Sequence, residues 1–345
     1  MATMANDIKD HAATRQPTIK VTARHDRSFM VMLLQTFIRP FNQRLVSHSK
    51  EYPAGSPQLP PHRKAKKKLD ISERKVDDVY LYRLSPKHSP SNEKNTRKRR
   101  LYYFAGGGWQ MPASSEHWSF LTELCLNLPE TAITLVSYPL APHSPAPIAF
   151  PMLMRLYRTL MQDAANANEE VILAGDSAGG NIALALVIAA LAEDAASATC
   201  PPCPAAILAL SPSTDMRRSN PTMKEIEKLD PLLRIPFAHS TAAAWCGETS
   251  QECQAWERSD VRVSPLLADL GPLAKRGVKV HGVTGRYDIL SPDAVLFREK
   301  CEEAGVEGEW LDWDKQIHVF PLIFSFGFRE GIEAKDWILE VLRRT

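Results

Sequence analysis

Short apolar runs alternate with longer helical segments along most of the chain. The runs are bounded by Gly, Pro and polar residues, as is typical of buried strands; they lie at 101–104, 132–138, 171–174, 205–210, 278–284 and 308–313. The segments with helical spacing or composition lie at 115–128, 151–165, 294–304, 337–342 and from 181 onward. This alternation predicts an α/β protein with a mostly parallel central sheet flanked by helices.

The first 75 residues show a different pattern. Residues 1–27 are polar and predict a mobile tail. Residues 28–46 predict an amphipathic helix with a possible bend at Pro40, since apolar residues recur near helical spacing at Phe29, Leu33, Phe37, Phe41 and Leu45. This helix is expected to form part of a lid, with packing on the core or contact with a membrane surface as alternatives. A Pro-rich linker follows, and its basic run at 62–68 predicts a solvated loop.

The main domain is predicted over 76–345, opening with a strand of a hairpin or meander at 76–84. Residues 215–260 interrupt its alternation, because they are polar and contain no clear strand. We expect them to form a helical insertion. The pair Cys200 and Cys203 has no second pair at metal spacing, so it predicts a plain loop rather than a metal site.

Composition narrows the classes of partner. The net charge is +2 and 44% of the 345 residues are hydrophobic, so no overall attraction to nucleic acid is expected. The longest uninterrupted apolar run, 182–192, is much shorter than the roughly 20 residues of a spanning helix, and no transmembrane segment is predicted. The absence of a secretory signal predicts a cytoplasmic protein with free thiols. A homodimer remains open.

One pentapeptide carries candidate chemistry. Residues 175–179, GDSAG, place Ser177 between an apolar strand and an Ala/Leu-rich helix. This is the pattern of a nucleophile elbow. The sharp turn strains the backbone at the serine, so the residues two positions before and after it, Gly175 and Gly179, must lack side chains that would clash. The serine hydroxyl is then exposed above the sheet.

A second glycine cluster follows the strand at 101–104. Three glycines, Gly106 to Gly108, precede Trp109. Side-chain-free residues let backbone N–H groups approach a developing oxyanion, which acyl transfer requires. Without the elbow, the same cluster would be a simple Gly-rich turn. A phosphate-binding loop is disfavoured, because neither G-K-[ST] nor G-x-G-x-x-G is present.

A serine nucleophile needs a base and an acid that orients the base. In α/β-hydrolases their chain order is Ser, then Asp or Glu, then His. Asp288 and His318 follow Ser177 in that order, each just beyond a predicted strand end. Asp293 is the alternative acid, whereas His281 lies inside a strand and is expected to be a core residue.

These motifs together resemble the hormone-sensitive-lipase-like branch of the α/β-hydrolases over about 76–345. The resemblance is carried by YFAGGGW (103–109), SYPLAPHSPAP (137–147), GDSAGGN (175–181), SPSTD (211–215), DPLL (230–233), VSPLLADL (263–270), GRYDIL (285–290) and HVF (318–320). It implies an α/β-hydrolase fold with a helical cap, formed by the N-terminal helix and the 215–260 insertion. It also implies a catalytic triad of Ser177, Asp288 and His318.

The resemblance further implies backbone oxyanion donors at Gly107, Gly108 and Ala178, and neither a metal nor a cofactor. One position departs from the family, because Ala105 stands where its motif has histidine. That histidine is expected to hold the glycine loop, so its loss should loosen the oxyanion hole without deleting it.

The expected function is therefore hydrolysis of a small or medium carboxylic ester or lactone through an acyl-enzyme. The family includes esterases of fungal secondary-metabolite pathways, and the cap is compatible with that role. Two alternatives remain open. One is amide or thioester cleavage, or acyl transfer, on the same triad. The other is a small-molecule-binding protein on a hydrolase fold that has lost catalysis.

Overall fold

A nine-stranded sheet forms the centre of the protein. The computed structural model describes residues 17–41, 51–87, 98–197 and 200–345. The strands are β1 (Ile19–Arg24), β2 (Leu69–Val76), β3 (Val79–Pro86), β4 (Arg99–Phe104), β5 (Thr131–Ser137), β6 (Glu170–Asp176), β7 (Ala206–Leu210), β8 (Lys279–Tyr287) and β9 (Gly308–Ile317). Their order is β1-β9-β8-β7-β6-β4-β5-β3-β2. All neighbours are parallel except β3, which runs antiparallel to both β2 and β5.

Helices connect these strands and cover both faces of the sheet. The α-helices are α1 (Phe29–Ile38), α2 (Arg63–Lys68), α3 (Ser115–Asn127), α4 (Ala146–Asn166), α5 (Ser177–Ala196), α6 (Met223–Glu227), α7 (Ile235–Cys246), α8 (Gly271–Lys275), α9 (Ser291–Glu303) and α10 (Arg329–Arg344). Short 3₁₀ helices cover Arg39–Phe41, Pro265–Leu267 and Phe320–Phe326.

Side chains alternate between the two faces along each strand, as β4 illustrates. Tyr102 and Phe104 pack in the core layer that contains α4 and α5, whereas Leu101 and Tyr103 pack in the layer that contains α3 and α10. Strands buried on both faces give near-continuous apolar runs in the sequence. The predicted α/β architecture is confirmed.

The predicted tail at 1–27 is wrong in its second half. Ile19–Arg24 forms β1, which pairs in parallel with β9 at the edge of the sheet. Ile19 is buried, but the next two residues of the strand are exposed. Because Ile19 is the one fully buried residue of β1, the strand has too weak an apolar pattern to be recognised in the sequence. Residues 1–16 lie outside the described part of the chain.

The boundary predicted at residue 76 is also wrong, because the sheet already includes β2 from Leu69 onward. The preceding Pro-rich segment is part of the domain: the Leu59 backbone N–H donates to the Tyr82 hydroxyl at 2.6 Å. The basic run predicted as a loop is mostly helix α2, with Ala65 buried against the core. Its lysines are solvated, but the helix itself is anchored.

The predicted helix at 28–46 is present but shorter and turned differently. Helix α1 ends at Ile38, and Pro40 lies in the 3₁₀ helix that follows; residues 42–50, with Leu45, lie outside the described ranges. The apolar residues on which the amphipathic helix was predicted are exposed at Phe29, Leu33, Phe37 and Phe41. The buried residues are instead Val31 and Gln35, because Gln35 Nε2 donates to the Lys315 carbonyl at 2.8 Å.

Helix α5 is the central helix of the fold. Among the described residues, it is the one helix whose length and composition would let it cross a bilayer, and 78% of its apolar window is buried inside the protein. It packs on β6 and β7 and on helix α4. Its apolar side chains therefore pack in the protein core and do not indicate a membrane span.

Candidate active site

Ser177 occupies a strained turn between β6 and α5. Its φ of 51° lies in the left-handed region. A Cβ at position 179 would lie 1.9 Å from the Phe104 carbonyl oxygen, and one at position 175 would lie 2.5 Å from the backbone of Gly179. Glycine is therefore required at both places for the turn to form. The steric reason predicted for the G-x-S-x-G spacing is borne out by these contacts.

Three side chains from distant parts of the chain meet at this turn. The Ser177 Oγ lies 2.8 Å from His318 Nε2, and His318 Nδ1 lies 2.7 Å from Asp288 Oδ2. Asp288 directly follows β8 and His318 directly follows β9. Because the carboxyl ends of parallel strands share one edge of a sheet, the two side chains reach the elbow from neighbouring strands.

The hydrogen bonds fix the orientation of the imidazole. Asp288 is fully buried, and its Oδ1 accepts from the Leu290 backbone N–H at 2.9 Å, which leaves Oδ2 for His318. Nδ1–H of His318 donates to that carboxylate, so Nε2 is free to accept the proton of the serine hydroxyl. Burial alone would lower the pKa of His318, but the negative charge and hydrogen bond of Asp288 outweigh it, and the pKa is raised.

The competing acids and histidine have other partners. Asp293 Oδ1 accepts from Asn220 at 2.8 Å, and Asp312 pairs with Arg286 and Arg298. His281 lies inside β8, where burial lowers its pKa to about 4. The structure therefore brings Asp288 and His318, but not these residues, to Ser177.

The glycine loop after β4 lines the same cavity as Ser177. Gly107 and Gly108 have φ values of 132° and 59°, and a Cβ on Gly107 would lie 2.8 Å from the Met111 carbonyl oxygen. Ala178, the third predicted oxyanion donor, is buried in the first turn of α5 directly after Ser177. All three predicted backbone positions thus border the elbow.

The glycine loop is held by hydrogen bonds even though Ala105 stands where the family has histidine. The Tyr138 hydroxyl donates to the Ala105 carbonyl at 2.8 Å, and the Gly106 backbone N–H donates to Asp176 Oδ1 at 2.9 Å. Asp176 also accepts from the Tyr103 hydroxyl at 2.7 Å. A side chain outside the glycine motif therefore holds the loop, which the sequence pattern alone did not indicate.

A cavity of about 340 Å³ opens onto the serine. Its lining comes from the glycine loop, the start of α3, the 215–260 insertion and the segments that carry Ser177 and His318. The insertion contributes Arg218, Leu232, Leu233, Phe237, Ala238 and Thr241. No described residue of α1 lines the cavity, although Arg39 at its end donates to the carbonyls of Lys228 and Leu229 in the insertion.

Comparison with known proteins assigns the chain to a family. Residues 101–322 match the sequence profile of the α/β-hydrolase fold. The chain belongs to the α/β-hydrolase fold family. It is 28% identical to an esterase of Acinetobacter venetianus over 240 residues, which is 70% of this chain and 73% of the relative. It is 27% identical to human hormone-sensitive lipase over 167 residues, which is 47% of this chain and 15% of the relative.

Solved structures agree on the fold of this hydrolase. An esterase/lipase from an uncultured bacterium superposes with a TM-score of 0.67 at 23% identity, covering 92% of this chain and 99% of the other. A hormone-sensitive lipase from a metagenome library gives 0.64 at 23% identity, covering 89% and 92%. The predicted α/β-hydrolase fold is confirmed.

Within the hydrolase, Asp230 links the insertion to the segment that carries Asp288. Its Oδ2 accepts from the Ile289 backbone N–H at 2.9 Å, next to Asp288, while its Oδ1 accepts from Leu232 and Leu233 at 2.8 and 2.9 Å. Burial and the nearby charge of Asp288 raise the pKa of Asp230. The DPLL motif pointed to this position, but its partner could be identified only in the fold.

The insertion also contacts the glycine loop of the hydrolase directly. The indole rings of Trp109 and Trp245 stack with centroids 5.7 Å apart and planes inclined by 11°. Trp109 follows the glycines and Trp245 lies in α7, so the stack joins the loop to the insertion. Both side chains are buried. The insertion is therefore packed on the site rather than separate from it.

Proposed function

We propose that the protein is a serine hydrolase that cleaves a small or medium carboxylic ester through an acyl-enzyme on Ser177. The observation that carries the proposal is the continuous hydrogen-bonded chain from the Ser177 hydroxyl through His318 to Asp288, at 2.8 and 2.7 Å. A neutral serine hydroxyl is a weak nucleophile, and this arrangement is the one that activates it. The named relatives, an esterase and hormone-sensitive lipase, support the same class of reaction.

The proposed reaction has two stages. His318 Nε2 removes the Ser177 proton as Oγ attacks the ester carbonyl, and Asp288 stabilises the imidazolium that forms. The backbone N–H groups of Gly107, Gly108 and Ala178 bind the oxyanion of the tetrahedral intermediate. The proton on His318 then passes to the leaving alkoxide, and the alcohol departs. Water, activated by His318, releases the acid and regenerates the serine.

The cavity supports a limit on substrate size. About 340 Å³ lies near the lower end of ligand-site volumes. Its apolar insertion residues favour a compact acyl or alcohol group over a long emulsified lipid. The acyl-enzyme would also serve amide or thioester cleavage or transfer to another acceptor. Ester hydrolysis is preferred because both named relatives act in that class.

A series of p-nitrophenyl esters from acetate to decanoate tests the proposal. We expect the highest kcat/KM for the short and medium chains, and loss of turnover in Ser177→Ala with an unchanged melting temperature. Ser197→Ala is the matched control, since Ser197 is an exposed residue at the other end of α5. Turnover in the Ser177 variant equal to that of the wild type would overturn the proposal.

A further inference from the structure

A buried arginine faces the catalytic cavity from the insertion. Arg218 is only 6% exposed, has a φ of 53° and lines the cavity that contains Ser177. Its Nη1 donates to the Asp215 carbonyl at 2.8 Å, and its Nη2 donates to the Ser213 hydroxyl at 2.7 Å. The Nε–H of this buried guanidinium has no acceptor in the described part of the protein.

The positive charge of Arg218 is not neutralised by a direct ion pair with any described residue. The carboxylate of Asp215 is bound by Arg217, whose Nη2 lies 2.8 Å away. Asp293 contributes charge from a greater distance, while its Oδ1 accepts from Asn220. Burial lowers the pKa of Arg218 to about 10, so the guanidinium remains charged at neutral pH. A buried charge without a bonded counter-ion is costly, and an anion would relieve that cost.

Arg218 is adjacent to the reacting centre. It donates to the side chain of Ser213, whose backbone N–H donates to the Ser177 carbonyl at 3.2 Å. The neighbouring lining from the insertion is mostly apolar, at Leu232, Leu233, Phe237 and Ala238, and the Thr241 hydroxyl donates to the Ala238 carbonyl. None of these residues carries a carboxylate. A substrate bound at Ser177 is therefore the group best placed to supply one.

The acidic residues of the cavity come from other segments and already have partners. Asp176 accepts from Tyr103, Gly106 and His117. Glu116, in the first turn of α3, accepts from the Ser115 hydroxyl at 2.7 Å. The charges of the lining are therefore separated: its carboxylates lie in the segments around the glycine loop, and its buried cation, Arg218, lies in the insertion.

We propose that the substrate is an ester that carries a carboxylate, bound by Arg218 while Ser177 attacks the ester carbonyl. This inference rests on the proposed ester hydrolysis. The single positive charge of one guanidinium matches the single negative charge of a carboxylate, whereas a phosphate monoester carries nearly two. The substrate class is thus a half-ester of a dicarboxylic acid, or an ester of a hydroxy acid whose acid group is free.

Matched ester pairs test the charge preference. The first pair is mono-4-nitrophenyl adipate and its methyl-capped form, which place or remove a carboxylate on the acyl side. The second pair is 4-acetoxybenzoate and its methyl ester, which do so on the alcohol side. We expect kcat/KM for the carboxylate member of one pair to exceed that of its neutral partner by about tenfold or more, as a charge-assisted hydrogen bond would give.

Three variants assign the preference to the guanidinium. Arg218→Gln should reduce the ratio of charged to neutral kcat/KM at least tenfold, and Arg218→Lys should retain part of it. Arg155→Gln is the control, because Arg155 is an exposed residue of α4 that does not line the cavity, and its ratio should stay at the wild-type value. A wild-type ratio at or below one in both pairs overturns the inference.

Binding to the Ser177→Ala variant separates this inference from the proposed function. Calorimetry with monomethyl adipate and dimethyl adipate reports charge recognition without requiring turnover. We expect the half-ester to bind about tenfold more tightly, and this difference to vanish when Arg218→Gln is added. If neither ester pair is hydrolysed but the half-ester still binds more tightly, ester hydrolysis fails and anion recognition stands. Equal binding of the two compounds overturns anion recognition.

Discussion

The imidazole of His117 supports the carboxylate that holds the glycine loop. Its Nε2 lies 3.1 Å from Asp176 Oδ1 and 3.2 Å from Oδ2. The Ser114 backbone N–H donates to His117 Nδ1 at 2.9 Å, so Nε2 carries the proton and donates to Asp176. Burial opposes ionisation of Asp176, but the histidine and the other donors keep its pKa below the usual range. His117, from helix α3, thus orients the residue that binds Gly106.

Removing this imidazole should weaken catalysis without abolishing it. In His117→Ala, Asp176 loses a donor and the Gly106 N–H is held less firmly, so the neighbouring oxyanion donors are less well positioned. We expect kcat to fall about tenfold, with KM nearly unchanged, because a hydrogen bond to a charged group is worth roughly 1.5–3 kcal/mol. Steady-state kinetics on a p-nitrophenyl ester measures the effect.

Two further variants make this test specific. His117→Gln retains a donor and should recover part of the lost kcat. His143→Ala is the control, since His143 is an exposed residue that pairs with Glu51 at the surface. A kcat for His117→Ala equal to that of the control would show that the imidazole does not position the loop.

The acid limb of the pH profile should report the pairing of His318 with Asp288. The base must be neutral to act, and the pKa of His318 is raised, so kcat/KM should fall as pH drops through a value above about 6.5. In Asp288→Asn the negative charge is removed and burial dominates, which lowers the pKa of His318. The limb should then move to lower pH, while the plateau falls by about 10⁴-fold.

Pre-steady-state measurements on freshly purified Asp288→Asn, with burst titration of active sites, would exclude traces of wild-type enzyme. If the acid limb of the kcat/KM profile of Asp288→Asn stays at the pH of the wild type, Asp288 does not set the pKa of His318.

A methyl group at position 179 should disrupt the elbow itself. The added Cβ of Gly179→Ala would lie 1.9 Å from a backbone carbonyl oxygen, which cannot move without shifting β4. We expect a loss of at least about 3 kcal/mol in the free energy of unfolding, measured with urea. In the control Gly271→Ala, the nearest atom belongs to the exposed side chain of Asp269, at 3.2 Å, and a side chain can shift where the backbone cannot. Equal stability of the two variants would contradict the steric argument.

Asp230 gives a prediction about stability and pH. Its folded pKa is raised above the unfolded value of about 3.9, so its contribution to stability is fully present at low pH and falls as pH rises through the folded pKa. Asp230→Ala should therefore destabilise the protein more at pH 4.5 than at pH 7.5. Urea unfolding at both pH values measures this difference. A larger loss at pH 7.5 would mean that Asp230 is ionised and paired in the folded state.

The parts of the fold that were predictable are those fixed by local sequence. The central strands are apolar on both faces, and the GDSAG sequence marks the turn around Ser177, although the contact that excludes a side chain at position 179 comes from Phe104 of β4. The roles implied for Asp288 and His318 follow from chain order and strand ends, because parallel strands share one catalytic edge. Each of these signals is present without knowledge of the tertiary packing.

The parts that were missed depend on contacts between distant segments. Strand β1 has one buried anchor, Ile19, and forms only because the edge of β9 is available. The orientation of α1 is set by Gln35 and the Lys315 carbonyl, not by its apolar periodicity. The support of the glycine loop by Asp176 and His117, and the exposure of Arg218 to the cavity, likewise arise only when the chain is folded.

The central claim, that His318 activates Ser177, is tested most directly by a fluorophosphonate probe with the adduct located by peptide mass spectrometry. We expect a stoichiometric adduct on Ser177 in the wild type and its loss in His318→Ala, with both proteins folded by circular dichroism. Ser197 should remain unmodified in each. Absence of an adduct from the folded wild type, or equal labelling of Ser177 in His318→Ala, would show that His318 does not activate Ser177.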